Sequence, residues 1–172
     1  NYFGYEGVLN GNTAEEVWNL CNEKLAQPGM GVRGLIEKSN VAFIGTTDDP
    51  IDTLEWHDKI AADPTIETIV GPSYRPHKAV NIHKAGWHEY MALLAKSVGK
   101  DKLETMQDVL DALVERLEFF KAHGCRASDH GLDYVPFVNY TVEQADAAYQ
   151  KALRGEKLTL EEIEGFQTVI LL

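Results

Sequence analysis

The chain has 172 residues, of which 44% are hydrophobic and 25% are charged, an ordinary globular composition with enough apolar residues for one core. Its formal net charge of -11 repels nucleic acid and anionic membranes, so neither is an expected partner. Cys21 and Cys125 form no metal-ligand spacing, and no signal peptide or membrane-length apolar run appears, which favours the cytoplasm.

Both ends of the sequence are unusual for a finished domain. The chain starts at Asn1 without an initiator methionine and stops inside the apolar run "GFQTVILL". Because an apolar face normally packs against something, we expect an internal portion of a longer protein.

The first half of the chain is predicted to alternate helices with short strands. A capping box of Thr13 and Glu16 opens an amphipathic helix, and "GVRGLIEKSN" predicts a shorter one. A buried strand is expected over residues 41–46, and Pro50 suits the first turn of the following helix, "DPIDTLEWHDKIAAD". "TIETIVGPSYRP" predicts a second strand, stopped by one of its prolines.

The second half is predicted to be mainly helical. One helix in "AGWHEYMALLAKSVG" has an apolar face of Trp87, Tyr90, Met91 and Leu94. The next, in "LETMQDVLDALVERLEFFKAHG", has a stripe of Met106, Leu110, Leu113, Leu117 and Phe120. "CRASDHG" predicts a third strand, and two further capping boxes open the last helices, at Thr141/Gln144 and Thr159/Glu162.

This alternation is typical of βα units around a parallel sheet. A complete (β/α)₈ barrel needs roughly 200–250 residues, so we expect an α/β fold, part of a TIM-like barrel with inserted helices. All 172 residues then belong to one barrel. Its expected parts are a helical N-terminal segment (1–40), two βα units (41–83), a helical insertion (84–123), and a strand with C-terminal helices (124–172).

Three polar clusters follow the three predicted strands, where parallel α/β folds hold their active sites. The first contains Thr46, Thr47, Asp48 and Asp49. Asp49 is interpreted as the N-cap of the next helix, because an aspartate before a proline at a helix start commonly accepts a backbone N–H. Asp48 is less easily explained as a cap, and both a structural and a catalytic role stay open, with Thr47 as a hydrogen-bonding support.

The second cluster contains Arg75, His77 and Lys78, which are basic residues in an acidic chain. The guanidinium of Arg75 matches a carboxylate or a phosphate, whereas a solvated loop with surface ion pairs is the alternative.

The third cluster contains Asp129 and His130. The aspartate could orient the imidazole for acid–base work or ligation, but neighbours on an extended strand face opposite ways, so a structural role for one of them stays open. The other histidines considered are interpreted as structural: His57, His88 and His123.

Four segments in this order resemble the uronate isomerases, also called glucuronate isomerases, of the amidohydrolase superfamily. They are "TAEEVWNLCNEKLA", "VAFIGTTDDPIDTLEWH", "SYRPHKAVNI" and "FFKAHGCRASDHGLD". The resemblance covers essentially the whole chain. It implies a distorted (β/α)₈ barrel and cytoplasmic conversion of D-glucuronate to D-fructuronate, and of D-galacturonate to D-tagaturonate, through an enediol.

The resemblance also implies a role for Arg75, which matches the position expected to bind the substrate carboxylate. From the residues themselves, Thr47 and His77 are expected to help bind the substrate. Asp48, Asp129 and His130 are the candidate catalytic residues, as groups lining the pocket and not as metal ligands.

A divalent metal, zinc by the resemblance, is expected in the full-length enzyme. The family's His-x-His and final aspartate ligands lie in segments outside this chain, which alone is expected to be inactive. The expected partner is a small hexuronate, and a homo-oligomer stays open. Alternatives are another metal-dependent hydrolase of the superfamily acting on a small anionic substrate, and a helical interaction module.

Overall fold

The computed structural model describes residues 2–172. Its chain divides into two compact units: the first comprises the residues up to Ile44 together with Ile60–Val70, and the second comprises Gly45–Lys59 and Gly71–Leu172. Within the described part of the chain, no helix is long and apolar enough to cross a membrane.

Short strands lie between helices in the described residues, an α/β arrangement, and the single strand predicted in "TIETIVGPSYRP" is two strands with different partners. The helices are α1 (Ala14–Leu25), α2 (Val32–Lys38), α3 (Glu55–Ala61), α4 (His77–Val80), α5 (Trp87–Ser97), α6 (Met106–Ala122), α7 (Val142–Leu153) and α8 (Leu160–Leu171). The strands are β1 (Phe43–Gly45), β2 (Ile69–Gly71), β3 (Ser73–Tyr74) and β4 (Ala127–Ser128). β1 pairs with β2, and β3 pairs with β4 in the predicted parallel sense.

Two sequence predictions for the first unit are wrong in detail. Helix α1 forms, but Thr13 makes no capping hydrogen bond to it. The Thr13 hydroxyl instead bonds within the preceding turn, donating to the Val8 carbonyl at 2.8 Å and accepting from the Asn10 N–H at 3.0 Å. Strand β1 is not buried, since the side chain of Phe43 is 52% exposed and little among residues 2–172 covers it.

The segment after Asp48 is a turn, and the predictions that it begins a helix at Pro50 and that Asp49 caps that helix are wrong. Asp49 Oδ1 accepts the Ile51 N–H at 3.2 Å, and Asp52 Oδ2 accepts the Asp49 N–H at 2.9 Å. These reciprocal bonds close a local turn that competes with helix formation. Helix α3 therefore begins only at Glu55.

The core of the second unit lies among its last four helices. The predicted apolar face of α5 is confirmed, with Trp87, Tyr90, Met91 and Leu94 all buried. On α6 the predicted stripe is only partly right: the Leu117 side chain is 41% exposed, whereas Val109, Ala112 and Arg116 are buried. The capping boxes at Thr141 and Thr159 are confirmed.

Arg116 is a buried cation that holds the turn after Asp48. Its Nε donates to the Pro50 carbonyl at 2.6 Å, and its Nη2 donates to the Asp52 carbonyl at 2.8 Å. The guanidinium also lies 4.0 Å from the centre of the Phe119 ring. Burial lowers the pKa of Arg116, but bonds to neutral carbonyls and the aromatic face stabilise its charge.

The replacement Arg116→Met should destabilise the chain by about 2–4 kcal/mol, because it leaves two carbonyls without a partner. The control Lys121→Met removes an exposed cation from the same helix and should cost about 1 kcal/mol or less. Chemical denaturation of both variants measures the difference. Equal stabilities for the two variants would contradict the role assigned to Arg116.

Candidate active site

Backbone pairing brings together the three chain segments that carry the predicted polar clusters. Asp48 forms a parallel bridge with Tyr74, with the Asp48 N–H bonded to the Ser73 carbonyl and the Arg75 N–H bonded to the Asp48 carbonyl, both at 3.0 Å. On the other side, the Asp129 N–H donates to the Tyr74 carbonyl at 2.9 Å. The segment around Tyr74 is therefore the central one of three.

Side chains from the first and second clusters approach the carboxylate of Asp129, which belongs to the third. Arg75 Nε lies 3.4 Å from Asp129 Oδ2, and the Thr47 hydroxyl lies 3.5 Å from the same oxygen. The side chains of Arg75 and Asp129 are 31% and 44% exposed, so solvent reaches this ion pair and its contribution to stability is small. The arrangement orients the guanidinium more than it stabilises the fold.

The terminal nitrogens of the Arg75 guanidinium make no hydrogen bond to any of residues 2–172. Nη2 passes close to Gly131, where an added β-carbon would lie 2.5 Å from that nitrogen. A side chain at position 131 would therefore displace the guanidinium. These planar N–H groups can donate two hydrogen bonds to a carboxylate in a bidentate manner.

Asp48 points away from this group, as the alternation of side chains along an extended segment requires. Its Oδ2 accepts the Thr46 hydroxyl at 2.6 Å and the Ser73 N–H at 3.2 Å. His57 Nε2 lies 2.7 Å from the Thr46 hydroxyl oxygen and 3.8 Å from Asp48 Oδ1. The side chains of Asp48 and His57 are 13% and 12% exposed, so this cluster is largely shielded from water.

The sequence places Thr46 in the first polar cluster without giving it a role, and it does not predict His57 as a member of the site. No sequence pattern predicts the contact of the His57 ring with Thr46, because that contact depends on the turn before α3. The structural interpretation of His88 and His123 agrees with bonds from their ring nitrogens to the carbonyls of Ala152 and Phe119.

His77 begins α4 and lines a separate cavity of about 290 Å³ with Lys78, Asn81, Lys84 and Tyr90. Its Nδ1 is buried with no hydrogen-bond partner among the described residues. Burial, and next the positive charge of Arg75, lower the pKa of His77. Its neighbour Lys78 pairs with Asp49 at 3.1 Å, and the buried Tyr90 hydroxyl donates to Asp49 at 2.8 Å.

His130 is exposed and lines an open cavity with Tyr74 and Ser128. The predicted site residues thus fall into distinct groups. Arg75, Thr47 and Asp129 contact one another, while Asp48 contacts Thr46 and His57. Among residues 2–172 no group of three or more His, Cys, Asp or Glu side chains could hold a metal ion, so the side chains present do not fit one.

Removing the charge of Arg75 should raise the pKa of His77 towards its usual value of 6.5. The lowered pKa favours neutral His77 in the folded chain, so this group should reduce stability as the pH falls through about 6.5. NMR titration of Arg75→Gln tests the shift, with Arg75→Lys as the charge-retaining control and His77→Gln to assign the signal. An unchanged His77 titration in Arg75→Gln would contradict the geometry.

The sequence of this chain is similar to those of known uronate and glucuronate isomerases. A family model described as glucuronate isomerase matches residues 1–172. The uronate isomerase of Lachnospira eligens is 46% identical over 170 residues, covering 99% of this chain and 36% of that protein. The uronate isomerase of Lachnoclostridium phytofermentans is 49% identical over 166 residues, covering 96% and 35% respectively.

Two solved structures of proteins with these names also match this chain. The crystal structure of uronate isomerase from Thermotoga maritima matches with a TM-score of 0.87 and 36% identity, over 98% of this chain and 37% of that one. Glucuronate isomerase from Caulobacter crescentus, at 23% identity and a TM-score of 0.85 over 96% of this chain and 34% of that one, supports the fold. The chain spans about a third of the length of these relatives. Since the family model matches along its whole length, the chain belongs to the glucuronate isomerase family.

Proposed function

We propose that the protein containing this chain is an aldose–ketose isomerase that interconverts D-glucuronate with D-fructuronate and D-galacturonate with D-tagaturonate. Membership of the glucuronate isomerase family supports the reaction class. The observation that carries the assignment to this site is the unpaired edge of the Arg75 guanidinium. It is a fixed cation in a chain whose net charge is -11, and the substrates are carboxylates.

Arg75 would bind the hexuronate carboxylate through its terminal nitrogens. Asp129 Oδ2 lies 3.4 Å from Arg75 Nε without a hydrogen bond, so it orients the guanidinium by charge, and the terminal nitrogens make no hydrogen bond among residues 2–172. A bidentate pair fixes both the position and the plane of the carboxylate, which orients the other end of the sugar. Thr47, bonded to Asp129, supports this arrangement, and His77 adds a polar group on the next turn of chain.

The isomerisation moves a hydrogen between two neighbouring carbons. A base removes the proton from C2, the electron pair forms the C1–C2 double bond, and the aldehyde oxygen gains a proton to give the enediol. Return of a proton to C1, with loss of the proton from the C2 hydroxyl, gives the ketose. Asp48, Asp129 and His130 are the candidates for these transfers, because carboxylates and imidazole exchange protons near neutral pH.

We also propose that the chain is part of a (β/α)₈ barrel acting in the cytoplasm. The parallel pairing of β3 with β4 supports the barrel, as do the polar residues at the strand ends. The resemblance implies a divalent metal, zinc. By the same resemblance, the ligands of this metal lie in segments outside this chain.

The direct test is proton NMR of D-glucuronate in D₂O with the protein containing this chain and added zinc. We expect ketose to appear and the C2 proton signal to be lost through exchange. Absence of both from the whole protein would contradict the proposed function.

Arg75→Met in that protein should lower kcat/KM about 10- to 100-fold, mainly through KM, because it removes charge-assisted hydrogen bonds to the carboxylate. The matched control is Arg33→Met, which removes another arginine paired with an aspartate, Asp63 at 2.9 Å. It should leave both constants within about twofold. Equal effects of the two replacements would contradict the role of Arg75.

A further inference from the structure

We infer that Thr46 and His57 are positioning residues, linked in a directed hydrogen-bond chain that holds Asp48 as an ionised carboxylate with Oδ1 free to act. The direction runs from His57 Nε2–H to the Thr46 oxygen, and from the Thr46 hydroxyl to Asp48 Oδ2. The functional meaning of this series of hydrogen bonds rests on the proposed function. The direction of its hydrogen bonds does not.

The distances between side-chain atoms define this series of hydrogen bonds. The Thr46 oxygen lies 2.6 Å from Asp48 Oδ2 and 2.7 Å from His57 Nε2, both short for hydrogen bonds. The Gly71 carbonyl is a weaker alternative acceptor for the hydroxyl at 3.3 Å. Thr46 therefore bridges two ionisable side chains that are only 3.8 Å apart at their closest atoms.

Counting protons fixes the direction. An ionised carboxylate only accepts hydrogen bonds, and a threonine hydroxyl has a single proton to donate. If that proton lies on the bond to Asp48, the threonine oxygen accepts from His57, which must then carry a proton on Nε2. The opposite direction requires a protonated Asp48 that donates to Thr46, and an unprotonated Nε2.

The hydrogen bonds to Asp48 suit a carboxylate that only accepts. Its Oδ2 receives a second donor, the Ser73 N–H at 3.2 Å, which a protonated oxygen would accept less well. Both internal hydrogen bonds fall on Oδ2, so Oδ1 keeps its lone pairs. Asp48 thus has one oxygen held by two hydrogen bonds and a second, Oδ1, that accepts none and lies 3.8 Å from His57 Nε2. In the proposed function, Oδ1 is the oxygen that would take up a proton.

The series of hydrogen bonds also explains why residue 46 is a threonine. Its methyl group restricts the rotation of the hydroxyl, so the oxygen stays between the carboxylate and the imidazole. Valine has the same shape without the hydroxyl, and serine has the hydroxyl without the methyl group. The two replacements separate hydrogen bonding from packing.

Two measurements on the protein containing this chain test the inference. Long-range ¹H–¹⁵N NMR of the His57 ring should show a proton on Nε2 near neutral pH. A ring protonated only on Nδ1 would overturn the direction, whether or not the protein isomerises hexuronates. This readout uses the unsubstituted protein, so it does not depend on whether any variant folds.

Kinetics then test the positioning role. Thr46→Val should lower kcat about tenfold or more with KM within about twofold, and Thr46→Ser should recover most of the loss. Equal kcat values for the valine variant and the unsubstituted protein would overturn the inference. If the unsubstituted protein does not isomerise hexuronates while His57 carries the Nε2 proton, the proposed function fails and the direction of the chain stands.

Discussion

The backbone bridge between Asp48 and Tyr74 is the constraint on which the rest of the candidate site depends. The bridge joins the segments of Asp48 and Arg75 through hydrogen bonds of 3.0 Å, and the Asp129 N–H, 2.9 Å from the Tyr74 carbonyl, adds the third segment beside them. Parallel pairing places the ends of neighbouring strands at the same edge. Residues more than 80 positions apart thereby reach one another, as the contact of Thr47 with Asp129 shows.

The helices of the second unit hold this arrangement from one side. The buried Tyr74 hydroxyl donates to the Leu113 carbonyl on α6 at 2.8 Å, and its ring packs edge-on against Phe120. Arg116, on the same helix, bonds the turn that follows Asp48. The same helix therefore fixes both the central strand and the neighbouring turn, which connects the packing of the core to the geometry of the site.

Local features of the fold were predictable from sequence. The capping boxes at Thr141 and Thr159 depend on residues three apart, and the apolar face of α5 depends on helical spacing. The short strands followed by polar residues also indicated the contact between Arg75 and Asp129, because strand ends share an edge in a parallel sheet.

Features set by distant partners were not predictable in the same way. The role of Asp49 is fixed by Tyr90 and Lys78, which lie in later helices, so the spacing rules for a helix cap gave the wrong answer. The place of His57 depends on the turn that delays α3 until Glu55 and returns its ring to Thr46. Neither contact has a sequence pattern of its own.

The central claim is that Arg75 provides the cation for a hexuronate carboxylate. The most direct measurement is a crystal structure of the protein containing this chain with D-glucuronate bound. The account predicts the sugar carboxylate within about 3 Å of the Arg75 terminal nitrogens, with Asp129 still on Nε. A bound sugar whose carboxylate is held by other residues, with Arg75 out of hydrogen-bond reach, would contradict it.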